Sequence, residues 1–234
     1  YNTDPYPSGK MGVSLTLVEK LQRAVKMARD NKLQLAVHAM GDKAIQTVID
    51  VTKEIAPWLT TMPSVRIEHA SLMTDQMFAE IANSKMNYAL VTQPIFFFAE
   101  DESYRHYLSP AQFKLAYRVK TMLNSQAMLG LSSDAPCTPW AEPDSPFYSI
   151  YAAVTRKAAN GDVVNAEEAI TVPQAILGYT RDGAKIGGFD ENGTLEVGKA
   201  ADFVILNDDI FTVAHSELKN IHVNETWMAG KRVM

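Results

Sequence analysis

Residues 33–40, LQLAVHAM, and 64–70, SVRIEHA, decide the reading of the fold. Each is a short apolar run of buried-strand type that ends in a histidine, His38 and His69. Working outward, Gly41-Asp42 breaks the first run and opens a helix to about Ile55. Upstream, Ser14 to Asp30 carries Leu17, Leu21, Ala24, Val25 and Ala28 at helical spacing, with Thr16 and Glu19 as a capping box. Pro57 and Pro63 mark the next connection, and Thr74 caps a helix to about Ser84. Met86 to Gln93 is a third strand, stopped by Pro94 and followed by a polar loop. Ser109-Pro110 starts a helix, and residues 127–133, AMLGLSS, form a fourth strand ending at Asp134. Ser145-Pro146 starts another helix; Thr171 and Gln174 cap one more, which ends near Gly187-Gly188. Strand and helix alternate four times, the pattern of parallel βαβ units in an α/β fold.

Residues 1–13 read as a loop, and the tail from Thr194 reads as a β-rich segment. The expected organisation is an α/β domain over residues 1–188 and a small β-domain over 189–234. The 234 residues are 47% hydrophobic and 21% charged, ordinary globular composition with enough apolar residues for a sizeable core. A net charge of −5 gives no reason to expect a nucleic-acid or anionic-membrane partner. No apolar run approaches the ~20 residues that span a bilayer. The single cysteine, Cys137, cannot form an internal disulfide, which favours a reducing, cytoplasmic setting. No G-x-G-x-x-G and no P-loop is present, so neither dinucleotide nor ATP binding is indicated.

Three of the four strands end in a potential metal ligand: His38, His69 and Asp134. A (β/α)8 barrel uses ~31 residues per unit, and it builds its sites at the C-terminal ends of its strands. His38 and His69 are 31 residues apart, one unit, and 65 separate His69 from Asp134, close to two. Two imidazoles and a carboxylate meeting there suit a divalent metal such as zinc. Spacing alone is equally consistent with hydrogen-bonded residues at strand ends and, for Asp134, a turn.

The local motifs separate the two readings. LAVHAMGDKA (35–44) resembles the strand-5 motif of the amidohydrolase superfamily, in its YtcJ-like and N-substituted formamide deformylase-like branch. RIEHA (66–70) resembles the strand-6 motif and SSDAP (132–136) the strand-8 motif. GTLEVGKAADFVIL (193–206) and MAGKRV (228–233) resemble the return of the chain into a β-sandwich. The resemblance implies strands 5–8 of a (β/α)8 TIM barrel with their helices, plus the C-terminal part of a composite β-sandwich. It implies His38 and His69 as metal ligands, and Asp134 as ligand and catalytic proton carrier. The implied activity is hydrolysis of a non-peptide carbon–nitrogen bond, amide or N-formyl type, by water that a metal ion activates. Cyclic amides, deamination and esters are the alternatives within the superfamily.

The sequence also departs from that family. An H-x-H pair on strand 1 should supply two more ligands, and strand 4 a bridging one. The histidines here are 38, 69, 106, 215 and 222, with no H-x-H among them. The chain begins at Tyr1 within a segment, YNTDPYPSG, that resembles the loop after strand 4. The expectation is therefore a C-terminal half that binds metal weakly and is inactive alone. Its exposed strand edges lead us to expect self-association or pairing with an N-terminal half. The rival expectation is a half-barrel module that folds or dimerises without chemistry.

Other residues carry shorter readings. Asp42 is explained by capping of the helix start, with a direct role at the site as the alternative, and Arg66 and Glu68, of opposite parity to His69, pair on the helix-facing side. Gln93-Pro94 either contacts substrate or ends the strand. His106, in a loop, either lines a pocket or, the commoner case, lies at the surface, and His215 and His222 read as structural. Cys137 lacks a motif-matched base to make it a nucleophile. Trp140 and Phe147 either wall an apolar pocket or, for Phe147, pack a helix.

Overall fold

The computed structural model describes residues 16–137 and 142–234. The loop expected at 1–13 and the pocket residue Trp140 lie outside the described residues. Helix α1 (Val18–Asp30) leads into β1 (Leu35–Ala39), α2 (Asp42–Thr52), β2 (Val65–His69), α3 (Asp75–Ala82) and β3 (Tyr88–Thr92). Then follow α4 (Pro94–Tyr107), α5 (Pro110–Phe113), α6 (Val119–Leu123), β4 (Met128–Leu131) and α7 (Pro146–Thr155). Helices α8 (Val172–Tyr179) and α9 (Arg181–Gly187) precede β5 (Phe203–Leu206), β6 (Val223–Met228) and β7 (Lys231–Arg232). The first four strands form one sheet in chain order, and β1, β2 and β3 pair in parallel. Sequential order with helices in between is the arrangement of consecutive βαβ units.

The register defines the two faces of this sheet. Val37 pairs with Ile67 and Ile67 with Leu90, so these side chains share a face. Tyr88 lies on the same face, and its hydroxyl meets the Thr52 hydroxyl of α2 at 2.7 Å. That face is therefore the helix-facing one, and Val65, Ile67, Tyr88 and Leu90 are buried there. Ala36 pairs with Arg66 and His38 with Glu68 on the opposite face, where Ala36 and His38 are exposed. Arg66 and Glu68 do form an ion pair. They share the face of His38, however, and not the helix-facing side that counting back from His69 suggests. The count fails because His69 leaves the extended region, with φ 71°, and strand alternation holds only for extended residues.

Capping explains where several helices start. Thr74 accepts from the Met77 N–H, Ser109 from the Gln112 N–H and Thr171 from the Gln174 N–H, each at the third helical residue. Pro146 opens α7 at its first turn, as Ser145-Pro146 implied. The box proposed at Thr16 and Glu19 is not the start of α1: the N-cap is Leu17, without a side-chain cap. The segment after Pro94 also corrects the sequence reading, because it is helical. Pro94 ends β3 and then serves as a first helical residue, a position where a missing N–H costs nothing. Helix α4 breaks at Glu100, φ −123°, ψ 16°, and burial holds the Glu100 carboxyl above its ordinary value. The single helix expected from Thr171 is two, α8 and α9, broken at Thr180 and closed by Gly188 at φ 73°.

The chain divides into two compact units. One runs to Thr92 and includes Glu102–Leu129; the other comprises Gln93–Asp101 and Gly130–Met234. In the second, β5, β6 and β7 form an antiparallel sheet, with Phe203 and Trp227 stacked at 5.5 Å across the first pair. Of the two β-rich segments expected in the tail, 194–206 is strand at Phe203–Leu206 alone, and 225–234 holds the end of β6 and all of β7. The second unit also buries Arg156 completely. Its guanidinium lies 4.3 Å over the Phe97 ring, its Nε donates to the Val164 carbonyl at 2.9 Å, and burial lowers its pKa to about 10.

The face assignment predicts unequal sensitivity across one sheet. Leu90→Ala should lower stability by roughly 2–5 kcal/mol in urea unfolding, as a fully buried leucine does. Ala36→Ser, on the open face, should stay within about 0.5 kcal/mol.

Candidate metal centre

Strands β1 and β2 place His38 and His69 at their C-terminal ends. The register sets His38 opposite Glu68 and His69 opposite Ala39. Side chains on ideal strands would then put the two imidazoles on opposite faces. Instead the rings lie edge to face with centroids 4.5 Å apart. The backbone at the end of β2 accounts for this: His69 and Ala70 take φ of 71° and 47°, the left-handed region that non-glycine residues seldom occupy. The Ala70 N–H still donates to the Ala39 carbonyl at 3.2 Å and Leu72 to Met40 at 3.3 Å, so the turned segment stays tied to β1. His69 is buried and His38 exposed. Two imidazoles at adjacent strand ends are a donor set that fits a divalent ion of intermediate softness.

Asp134 lies three residues past β4 in the second unit, exposed, with φ 52°. Its carbonyl accepts from the Cys137 N–H at 2.8 Å. Among the described residues, no three His, Cys, Asp or Glu side chains group as a metal cage. What the structure brings together is therefore the histidine pair.

The remaining candidates sort by position. Asp42 is the first residue of α2, buried, and its carboxylate accepts from the Lys43 N–H at 2.8 Å. Gln93 is buried just past β3, and its Nε2 donates to the Ser132 hydroxyl at 2.8 Å. His106 belongs to the last turn of α4 and not to a loop; it is exposed and rests against Tyr107. His215 and His222 are exposed in the second unit, and the His222 N–H donates to Asn207. Cys137 is exposed. Phe147 is buried in α7. Sequence reasoning missed Tyr179, whose hydroxyl donates to the Ser132 carbonyl at 3.2 Å. It carries no local signal, because its partner is 47 residues away.

A match to known proteins covers the whole chain. The amidohydrolase family is matched along residues 1–234. This chain belongs to that family. It is 29% identical over 237 residues to YtcJ of Bacillus subtilis (strain 168), assigned as an amidohydrolase, and covers 43% of that protein. To N-substituted formamide deformylase of Arthrobacter pascens it is 28% identical over 200 residues, covering 85% of this chain and 36% of the enzyme. The crystal structure of an uncharacterized metal-dependent hydrolase from Pyrococcus horikoshii OT3 superposes with a TM-score of 0.77 at 29% identity. That match covers 92% of this chain and 42% of the other. The chain thus spans well under half the length of these relatives. Among the described residues, no helix is long and apolar enough to cross a membrane.

If the histidine pair is the metal-holding element, His38→Ala and His69→Ala should each remove most of the zinc affinity seen by calorimetry, and His106→Ala should leave it unchanged. After mild dialysis of the unaltered chain, elemental analysis should find well below one metal per chain, since two imidazoles hold zinc poorly without further ligands.

Proposed function

We propose that this chain is the strand 5–8 portion of a (β/α)8 barrel, with a share of a β-sandwich from about residue 189, in a metal-dependent hydrolase. The hydrolase cleaves a small-molecule carbon–nitrogen bond outside peptides, of amide or N-formyl type. The observation that carries this reading is the pair of imidazoles 4.5 Å apart at adjacent strand ends, in a chain that the amidohydrolase family matches throughout. The similarity to N-substituted formamide deformylase supports the bond type.

His38 and His69 would hold the divalent ion, most simply zinc; for Asp134 the reading takes over the ligand and proton-carrier role that the SSDAP motif implies. When bound, such an ion supplies Lewis acidity, lowering the pKa of water toward ~7 and polarising a carbonyl. Asp134 accepts the proton of the attacking water and delivers it to the leaving nitrogen, the role a positioned carboxylate fills in general acid–base catalysis. His69, turned by its left-handed backbone, and His38, at the end of an extended strand, keep their rings side by side before any ion arrives. That arrangement reduces the ordering needed on binding.

A second reading is favoured by the open sheet face. Among the described residues β1 is an edge strand whose Ala36 and His38 are exposed, so they leave a face and an edge to be covered. Under it the chain is a catalytically incomplete module that pairs with another copy or with an N-terminal half. Sedimentation equilibrium at micromolar concentration should show association beyond the 25.9 kDa chain. A single species at that mass would remove this reading.

The hydrolase reading is tested with the longest natural protein that carries this chain, assayed on N-substituted formamides and simple amides. Activity should vanish with a chelator, return with zinc, and fall by roughly 10²–10⁴ in Asp134→Asn, the usual contribution of a general acid–base group. Activity indifferent to both chelator and Asp134→Asn would exclude it.

A further inference from the structure

We propose that Tyr179 and Gln93 are positioning residues for Asp134, acting through Ser132; this rests on the role given to Asp134 above. Asp134 is exposed, so the direction of its carboxylate is set by the backbone on either side. That backbone is in the left-handed region, φ 52°, a conformation that persists where the surroundings hold it. Downstream, the Cys137 N–H holds the Asp134 carbonyl. Upstream, two ties converge on Ser132, two residues before Asp134. The Tyr179 hydroxyl donates to the Ser132 carbonyl at 3.2 Å, and Gln93 Nε2 donates to the Ser132 hydroxyl at 2.8 Å.

The two ties come from different elements. Gln93 is 1% exposed and follows β3; Tyr179 is the last residue of α8. Helix α8 reaches β4 because Gly178 has no side chain: a Cβ there would stand 2.9 Å from Leu131 Cγ. The Thr171–Gln174 capping box fixes the other end of the same helix. Burial pushes the Tyr179 phenol above its ordinary value, so it stays a proton donor at any working pH. None of this is required to bury apolar surface. Phenylalanine would fill the same space without reaching Ser132.

The test uses this chain, cobalt(II) titration followed by visible absorption, and amide hydrogen exchange. Tyr179→Phe should weaken cobalt binding about tenfold, the low end of what outer partners of metal ligands contribute. In an Asp134→Asn background the same substitution should change nothing, because its effect passes through that carboxylate. A general loss of stability would instead persist in both backgrounds. Where Asp134→Asn itself weakens cobalt binding, equal affinity of Tyr179→Phe and the unaltered chain, or an undiminished loss in the Asp134→Asn background, would overturn the proposal.

Exchange keeps the outcome decisive without metal. In Tyr179→Phe and in Gln93→Leu, the amides of Ser133, Asp134, Ala135 and Cys137 should exchange several-fold faster while those of β1 and β2 stay unchanged. Unchanged exchange in the loop overturns the positioning role. Should Asp134→Asn and the unaltered chain bind cobalt alike, the ligand role of Asp134 fails by itself, and the loop exchange alone decides the present inference.

Discussion

The parallel register of β1 and β2 constrains everything at this site. It aligns His38 with Glu68 and His69 with Ala39, an offset that in regular strands sends the two imidazoles to opposite faces. The chain resolves the conflict at one residue. His69 leaves the strand through a positive φ, Ala70 follows, and the rings meet. Such backbone is costly for residues with a Cβ and persists where the surrounding structure over-determines it. Here the hydrogen bonds of Ala70 and Leu72 to the end of β1 are that surrounding structure. The same turn explains why Arg66 and Glu68 share the face of His38, although alternation counted from His69 assigns them to the helices.

The second unit shows a comparable arrangement at Asp134. Again a strand ends, again a non-glycine residue takes a positive φ, and again hydrogen bonds hold the backbone on both sides. The two strand ends therefore share a physical design: an extended segment fixes position, and a left-handed residue sets direction. At the second of them a side chain with little freedom does part of the holding, buried Gln93 through the Ser132 hydroxyl.

Much of this was legible from the amino-acid order. The four strands, their order, the family and the pairing of His38 with His69 follow from short apolar runs, unit spacing and local motifs. The caps at Thr74, Ser109 and Thr171 were readable because a cap and its partner lie three residues apart. What was not readable depends on longer or subtler contacts. The helix after Pro94 was hidden because proline both ends a strand and opens a helix, and its acidic, aromatic run has no clean apolar stripe. The face of Arg66 and Glu68 was misassigned because a single dihedral at His69 is invisible in sequence. Tyr179 could not be found at all, since nothing near it in the chain points to Ser132.

The long reach of that last contact bears on the order in which the molecule matures during synthesis. A chain leaves the ribosome from its N-terminus, and domains tend to fold as their residues emerge. His38 and His69 sit on neighbouring strands and can settle once residue 72 is out. The loop of Asp134 cannot, because its upstream brace is Tyr179, and contacts distant in sequence form late. The histidines are thus in place while the support of the Asp134 loop is still unmade, so a nascent chain that stalls in between has the paired imidazoles before it has the braced loop.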